Sequence, residues 1–225
     1  GTIPSQNYIL GGTNPAIALT LSGFQTSQTL RTVAANITSG TGQKYEGPGT
    51  RILVGLKPDI VMIQEFNVSN NTTAQIRSWV DTTFGTNFSY FRESSGSIPN
   101  GVISRWPILE SGSWDDSTIS DRGFAWARID VPGPRNLWVV SVHLKASSGS
   151  SNSTQRNSQA QELINYIQAN VPADDYLLIG GDCNTYNYSE ACLSTLGAVV
   201  DVSAPHPMDE AGDTDTNSGR SSPYD

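Results

Sequence analysis

The chain has 225 residues, of which 15% are charged, and a formal net charge of -8. That length suits one large α/β domain with its own core and excludes a miniprotein that needs staples to fold. The acidic balance repels nucleic acid and phospholipid surfaces at long range, so a polyanionic substrate requires a local basic patch or a bound cation.

No apolar run approaches the ~20 residues of a membrane-spanning helix. The charged share falls below the usual ~25%, with Ser, Thr, Asn and Gly filling the gap. This composition suits an extracellular or periplasmic protein, and a monomer is expected. Cys183 and Cys192, with eight residues between them, are open to two readings: a local disulfide or two buried thiols.

Residues 1–28 are rich in Gly, Thr, Ser and Pro, with one apolar patch from Ala16 to Leu21. They read as an N-terminal extension, linker or edge strand ahead of a domain spanning 29–225. LRTVAANI, from Leu30, reads as a strand. Residues 47–57 read as a short helix stopped by Pro58. DIVMIQEF, 59–66, is a near-continuous apolar run that suits a buried strand. Ile76, Trp79, Val80 and Phe84 recur at helical spacing within 72–84.

NFSYFRES, NGVISRWPI, GFAWARIDV and NLWVVSVHLKA follow as strands between Gly, Pro and Ser clusters. Residues 154–170 read as a helix with Ser153 as N-cap and Ala160, Leu163, Ile164 and Ile167 on one face. YLLIGGDCNT, 176–185, reads as another buried strand. Strands outnumber helices, and the helices fall between groups of strands. The fold class predicted is α+β: a four-layer sandwich of two packed, mostly antiparallel sheets flanked by helices.

Several apolar strands end in a polar or ionisable residue. Asn36 ends the first, Glu65 the DIVMIQE run, His143 the WVVSV run, and Asp182 and Asn184 follow LLIGG. A buried strand ending this way delivers its last side chain to the rim of the core, where sites are built. Oxygen ligands without thiolates favour a hard cation such as Mg²⁺, with Mn²⁺ or Ca²⁺ as alternatives. Such a cation leaves room for phosphate oxygens, and a nearby histidine can act as general acid or base.

The motifs have a family resemblance. Gln64-Glu65 after PDIVMI, Ser141-Val142-His143-Leu144, Gly181-Asp182-Cys183-Asn184, Asn36, Asn100-Gly101, and Arg156 with Gln159 and Ala160 resemble, in order, the motifs of the endonuclease/exonuclease/phosphatase superfamily. Tyr224-Asp225 resembles its Asp site before the last strands. The resemblance implies Glu65 as main metal ligand with Asn36 assisting. Asp182 and Asn184 would orient water and phosphate, and His143 would bind the scissile phosphate or protonate the leaving oxygen. Asp225 would orient a second histidine. Asn100, Arg122 and Lys145 would meet substrate, although Arg122 also reads as a surface ion pair with Asp121.

The family's terminal Ser-Asp-His-x-Pro segment has no counterpart up to Asp225, and the domain is expected to be incomplete at that end. His206, in a Pro-rich loop, reads as a loop residue. The acidic stretch 209–215 reads as a solvated loop, and the tryptophans as core or cleft walls. The function implied is a metal-dependent phosphoesterase acting on phosphodiesters, nucleic acid first. The alternatives are a phospholipase- or sphingomyelinase-like enzyme, a sugar- or inositol-phosphate phosphatase, and a non-catalytic binding module of the same fold.

Overall fold

A computed structural model describes residues 17–21, 28–38, 44–45, 47–206 and 208–224. These residues form nine strands and four helices. The first sheet has the order β1-β2-β3-β5-β4, from β1 (Ile17–Leu21), β2 (Gln28–Ala35), β3 (Ile60–Ile63), β4 (Ser89–Arg92) and β5 (Gly101–Ser104). The second has the order β6-β7-β8-β9, from β6 (Ile108–Trp114), β7 (Phe124–Ile129), β8 (Leu137–His143) and β9 (Tyr176–Asp182). The patch around Leu19 is an edge strand, antiparallel to β2.

Two strand pairs are parallel, β2 with β3 and β8 with β9. A parallel pair needs a long crossover, usually helical. Helix α1 (Gly47–Leu56) makes the first crossover and α3 (Ser150–Asn170) the second. The outcome is a pair of βαβ units, one per sheet. The sheets pack so that β2 meets β9 and β3 meets β8. The carboxyl ends of all four strands therefore come together at one edge of the sandwich.

Four layers follow from the two-residue period of the strands. Ile60 and Met62 of β3 point at the opposite sheet, joining Leu30, Ala34, Val102, Ala127, Ile129, Leu137 and Val139 in the inner core. Val61 and Ile63 point the other way, onto Leu53 of α1 and onto Ile76 and Val80 of α2 (Thr73–Thr83). Val140 and Val142 of β8 face Ala160, Leu163 and Ile167 of α3, and Leu196 of α4 (Ala191–Leu196). Burial on both faces is why these strands read as unbroken apolar runs. Each such side chain stabilises the fold by roughly 1.5–3 kcal/mol relative to exposure.

One glycine lets β9 close on the other sheet, and the next lets it lie against β8 of its own sheet. A Cβ at Gly180 would lie 2.7 Å from Met62 Cε, and one at Gly181 (φ +150°) would lie 1.9 Å from the Val142 carbonyl oxygen. Helix α2 starts where the sequence signals it. Thr72 accepts from the Gln75 amide, and Gln75 reaches back to the cap, a reciprocal capping box.

Two local expectations are corrected. Helix α3 begins one turn early, at Ser150 after Gly149, so Ser153 is no N-cap; its hydroxyl donates to Glu190 at 3.2 Å instead. The stretch NGVISRWPI is not one strand. It breaks at 105–107, where Pro107 cannot donate to a ladder, and Ile108 starts β6 of the other sheet. Helix α4 gave too short a periodic signal to be read. Cys183 and Cys192 are both buried and not bridged to each other.

Candidate active site

The four parallel-strand ends deliver Asn36, Glu65, His143 and Asp182 to one place. The Asn36 amide nitrogen donates to Asp182 Oδ2 at 2.9 Å and to Glu65 Oε1 at 3.2 Å. His143 Nε2 lies 3.5 Å from the same Asp182 oxygen. The Asn184 backbone N–H donates to Asp182 Oδ1 at 3.0 Å, and its side-chain amide to the Leu144 carbonyl at 3.1 Å. Residues distant in the sequence, on both sheets, thus meet in one hydrogen-bonded group.

Glu65 and Asn184 both lie in the left-handed region, with φ of +49° and +51°. Asn tolerates this conformation; for Glu it is uncommon. Such backbone persists where the surroundings over-determine it, and it clusters at functional sites. Below Glu65, the Gln64 amide donates to Ser141 Oγ at 2.8 Å, and Ser141 Oγ donates to the Ile63 carbonyl at 3.1 Å. This bridge ties the end of β3 to β8 two residues before His143.

The electrostatics are those of an acidic pocket short of positive charge. Burial raises the Glu65 pKa, partly offset by the Asn36 hydrogen bond and the charge of Arg122. Burial pushes Asp182 up to about 6, against the pull of the Asn36 and Asn184 hydrogen bonds, and the neighbouring Glu65 charge adds to the rise. Burial, with the Arg122 charge second, drives His143 well below its ordinary value, so its imidazole is neutral at pH 7.

Among the described residues, three buried atoms of these pocket residues have no hydrogen-bond partner, Asn36 Oδ1, Glu65 Oε2 and His143 Nδ1, and Gln64 Oε1 below them has none either. A lone pair left bare in a buried place costs free energy, so the set suits a ligand that supplies positive charge. Two bare oxygens beside carboxylates of raised pKa fit a hard divalent cation. Among the described residues, no three His, Cys, Asp or Glu side chains gather as a ready-made metal cage. A thin donor set is how Mg²⁺ is commonly held, with water and substrate phosphate completing the shell.

Arg122, Asn100 and Lys145, expected from the sequence to meet substrate, are each held by contacts of their own. Arg122 is buried; its Nε donates to the His143 carbonyl at 2.7 Å and an Nη to the Leu144 carbonyl at 2.9 Å. The ion pair with Asp121 is present at 3.0 Å, but the guanidinium is inside the fold and clamps the end of β8. Asn100 is fully buried. Its amide donates to the Gly123 carbonyl at 2.7 Å, its backbone N–H to Glu93 Oε2 at 2.6 Å, and its Oδ1 is without a partner. Lys145 follows the β8 end, its backbone N–H held by Gln159 Oε1 at 2.8 Å.

Asp225 lies outside the described residues. Its neighbour Tyr224 reaches the site, accepting from the Asn184 backbone N–H at 3.0 Å. His206 is a loop residue stacked on Tyr188. In the acidic stretch, Asp209 and Asp213 are paired with Arg220 at 2.6 and 2.9 Å. Trp138, Trp126 and Trp114 stack in a row ending on Tyr166, and Trp79 packs on Tyr45 and Phe66.

Arg156, Gln159 and Ala160 are buried on α3. Arg156 holds Glu190 in two hydrogen bonds of 2.8 Å and the carbonyls of Lys145 and Ser147 at 2.9 and 3.0 Å. Two acids escaped sequence reasoning. Glu93 follows Arg92 at the end of the half-buried β4, so no apolar run leads into it and nothing local marked its bonds to Asn100, Ser113 and Gly123. Glu190 stands alone in a loop, and nothing local marks its bond to a residue 34 positions away.

A two-sheet sandwich flanked by helices, with polar groups gathered at the ends of its parallel strands, defines the class of fold. Comparison agrees: residues 27–206 match the Endonuclease/Exonuclease/phosphatase family, and the chain belongs to it. By sequence it is similar to sphingomyelinase C of Bacillus cereus, 31% identical over 116 residues, 46% of this chain and 33% of that protein. The chain thus spans about a third of the length of the curated relatives it matches.

By structure it is similar to a β-hairpin deletion mutant of beta toxin from Staphylococcus aureus. The TM-score is 0.57 at 20% identity, covering 85% of this chain and 80% of that one. It is also similar to a humanized TDP2 of D. rerio, with a TM-score of 0.50 at 22% identity over 65% and 56% of the two chains. These structural likenesses establish the fold.

Proposed function

We propose that this protein hydrolyses phosphodiesters at the Asn36–Glu65–His143–Asp182 pocket with a hard divalent cation, Mg²⁺ first. The observation that carries the reading is the pair of bare, buried oxygens, Asn36 Oδ1 and Glu65 Oε2, beside carboxylates of raised pKa. Bound there, the cation would supply the charge that offsets the build-up on phosphate oxygens in the transition state. Asn36 and Glu65 would hold it. Asp182, its pKa raised to about 6, is poised to exchange a proton with water, and Asn184 fixes its orientation. A phosphate in the pocket would draw a proton onto the His143 ring, which can then hydrogen-bond that phosphate or protonate the leaving oxygen.

Two substrate classes follow. Nucleic acid is the reading from the sequence motifs. A choline-type phospholipid such as sphingomyelin is the second, favoured by the similarity to sphingomyelinase C. Net charge supports the second as well, since a zwitterionic headgroup meets less repulsion from a chain of charge -8 than DNA does. An extracytoplasmic location, drawn from composition, suits either.

The test is Mg²⁺-dependent release of p-nitrophenol from bis-p-nitrophenyl phosphate, run beside sphingomyelin vesicles and plasmid DNA. Turnover lost with EDTA and in Glu65→Gln is expected. Turnover indifferent to both would end the proposal, and the preferred natural substrate would choose between the classes.

A further inference from the structure

Asn36 and Glu65 sit just past the last backbone bond between β2 and β3, the Gln64 N–H to the Ala35 carbonyl at 3.1 Å. Something else must fix them. The hydroxyl of Tyr45 lies between the two chain segments. It accepts from the Ile37 backbone N–H at 3.0 Å and lies 2.9 Å from both the Ala35 and Gln64 carbonyl oxygens. It therefore touches the residue before Asn36, the residue after it, and the residue before Glu65. Its own backbone N–H donates to the Asn67 carbonyl at 2.8 Å, two residues beyond Glu65. The ring is 2% exposed and packs 5.5 Å from the Trp79 ring, so it cannot swing away without opening the helix layer.

We infer that Tyr45 is a positioning residue for the cation site: its hydroxyl joins the ends of β2 and β3 and sets the separation and aim of the Asn36 and Glu65 oxygens. The inference rests on the reading of those two residues as cation ligands. A hydroxyl suits the task because it offers one donor and two acceptor lone pairs in a single atom. It can meet an N–H and a carbonyl from two segments at once, which no ladder does at diverging strand ends. The left-handed backbone of Glu65 adds a need for such a tether, because that conformation must be imposed from outside. Tyr45 would touch neither cation nor substrate. Groups that orient ligands in this way typically change metal affinity by about 10- to 100-fold when removed.

The experiment is calorimetric titration of Mn²⁺ into the wild-type protein and into Tyr45→Phe, Glu65→Gln and Tyr188→Phe, without substrate. Tyr188 donates to the Thr214 carbonyl at 2.9 Å, so that variant loses a hydroxyl bond elsewhere in the fold. Expected are about 10- to 100-fold weaker Mn²⁺ binding in Tyr45→Phe, none in Glu65→Gln, and wild-type binding in Tyr188→Phe. Activity should show the same split: Tyr45→Phe needs more metal for half-maximal rate but nears the wild-type rate at saturating metal. Wild-type affinity in Tyr45→Phe, with Glu65→Gln silent, overturns the role of Tyr45 and spares the cation site. Failure of the wild type to bind Mn²⁺ overturns both. Amide exchange of Ile37 in the unmodified protein gives a reading that needs no variant: it should be slow, and fast exchange refutes the tether.

Discussion

Two groups of buried charge lie near the same strand ends, and they are built on opposite plans. In the Arg156–Glu190 group every listener has a speaker. Glu190 Oε1 accepts from Arg156 and the Tyr186 N–H, and Oε2 from Arg156 and Ser153. Burial is the largest single influence and raises the Glu190 pKa, but the Arg156 hydrogen bonds, the Tyr186 N–H, the Arg156 charge and the Ser153 hydroxyl together outweigh it and hold the group below the ordinary range. In the Glu65–Asp182 group, among the described residues, no arginine bonds the carboxylates, Asn36 Oδ1, Glu65 Oε2 and His143 Nδ1 have no partner, and both pKa values are raised. The first arrangement is neutralised by the chain itself; the second is the one that the proposed cation would complete.

The sharpest way to break the comparison is at the site. Glu65→Gln or Asp182→Asn should lower phosphodiester turnover by about 10²- to 10⁴-fold. In metal-free buffer the urea midpoint should hold or rise, because an amide relieves a buried carboxylate. A lower midpoint with normal turnover would reverse the assignment of the two groups.

The scaffold should behave in the opposite sense. Arg156→Leu is expected to cost about 3–5 kcal/mol of stability by stranding Glu190, and the double variant Arg156→Leu/Glu190→Leu should recover much of it. Equilibrium urea unfolding measures both; a single variant as stable as wild type contradicts the role.

The pH dependence separates the groups by sign. The folded pKa of Glu190 is depressed, so its stabilisation is present above its unfolded pKa and disappears as pH falls through the folded value. The folded pKa of Asp182 is raised to about 6, so its penalty grows as pH rises from about 3.9 towards that value and is relieved on acidification. Urea midpoints across pH 3 to 8 without metal should therefore show Glu190→Gln flattening the acid limb and Asp182→Asn flattening the fall in stability between about pH 4 and 6. Identical profiles in the two variants would dissolve the distinction.

The smallest effect is a control away from both groups. Thr72→Ala removes the cap of α2 and should cost about 1 kcal/mol, with turnover unchanged.

Much of the site was legible because its residues occupy one kind of position. Glu65, His143 and Asp182 each end an apolar run, and Asn36 follows one, so pattern alone picked them out. Arg122 shows the limit. Sequence offered an ion pair with the adjacent Asp121, which the structure has, but could not show that the same guanidinium holds two carbonyls 21 and 22 residues away. Tyr45 and Glu190 gave no signal, because their work is done through bonds to segments remote in the chain.

The amino-acid sequence by itself determined the apolar runs, the breaks between them and the polar residues at their ends, since side-chain period and turn chemistry are local. It also determined the need for crossovers wherever two strands run parallel. Tertiary structure alone decided which carboxylates receive a cation from the chain and which do not. That is a matter of distance and burial between segments brought together by packing, and no local pattern encodes it.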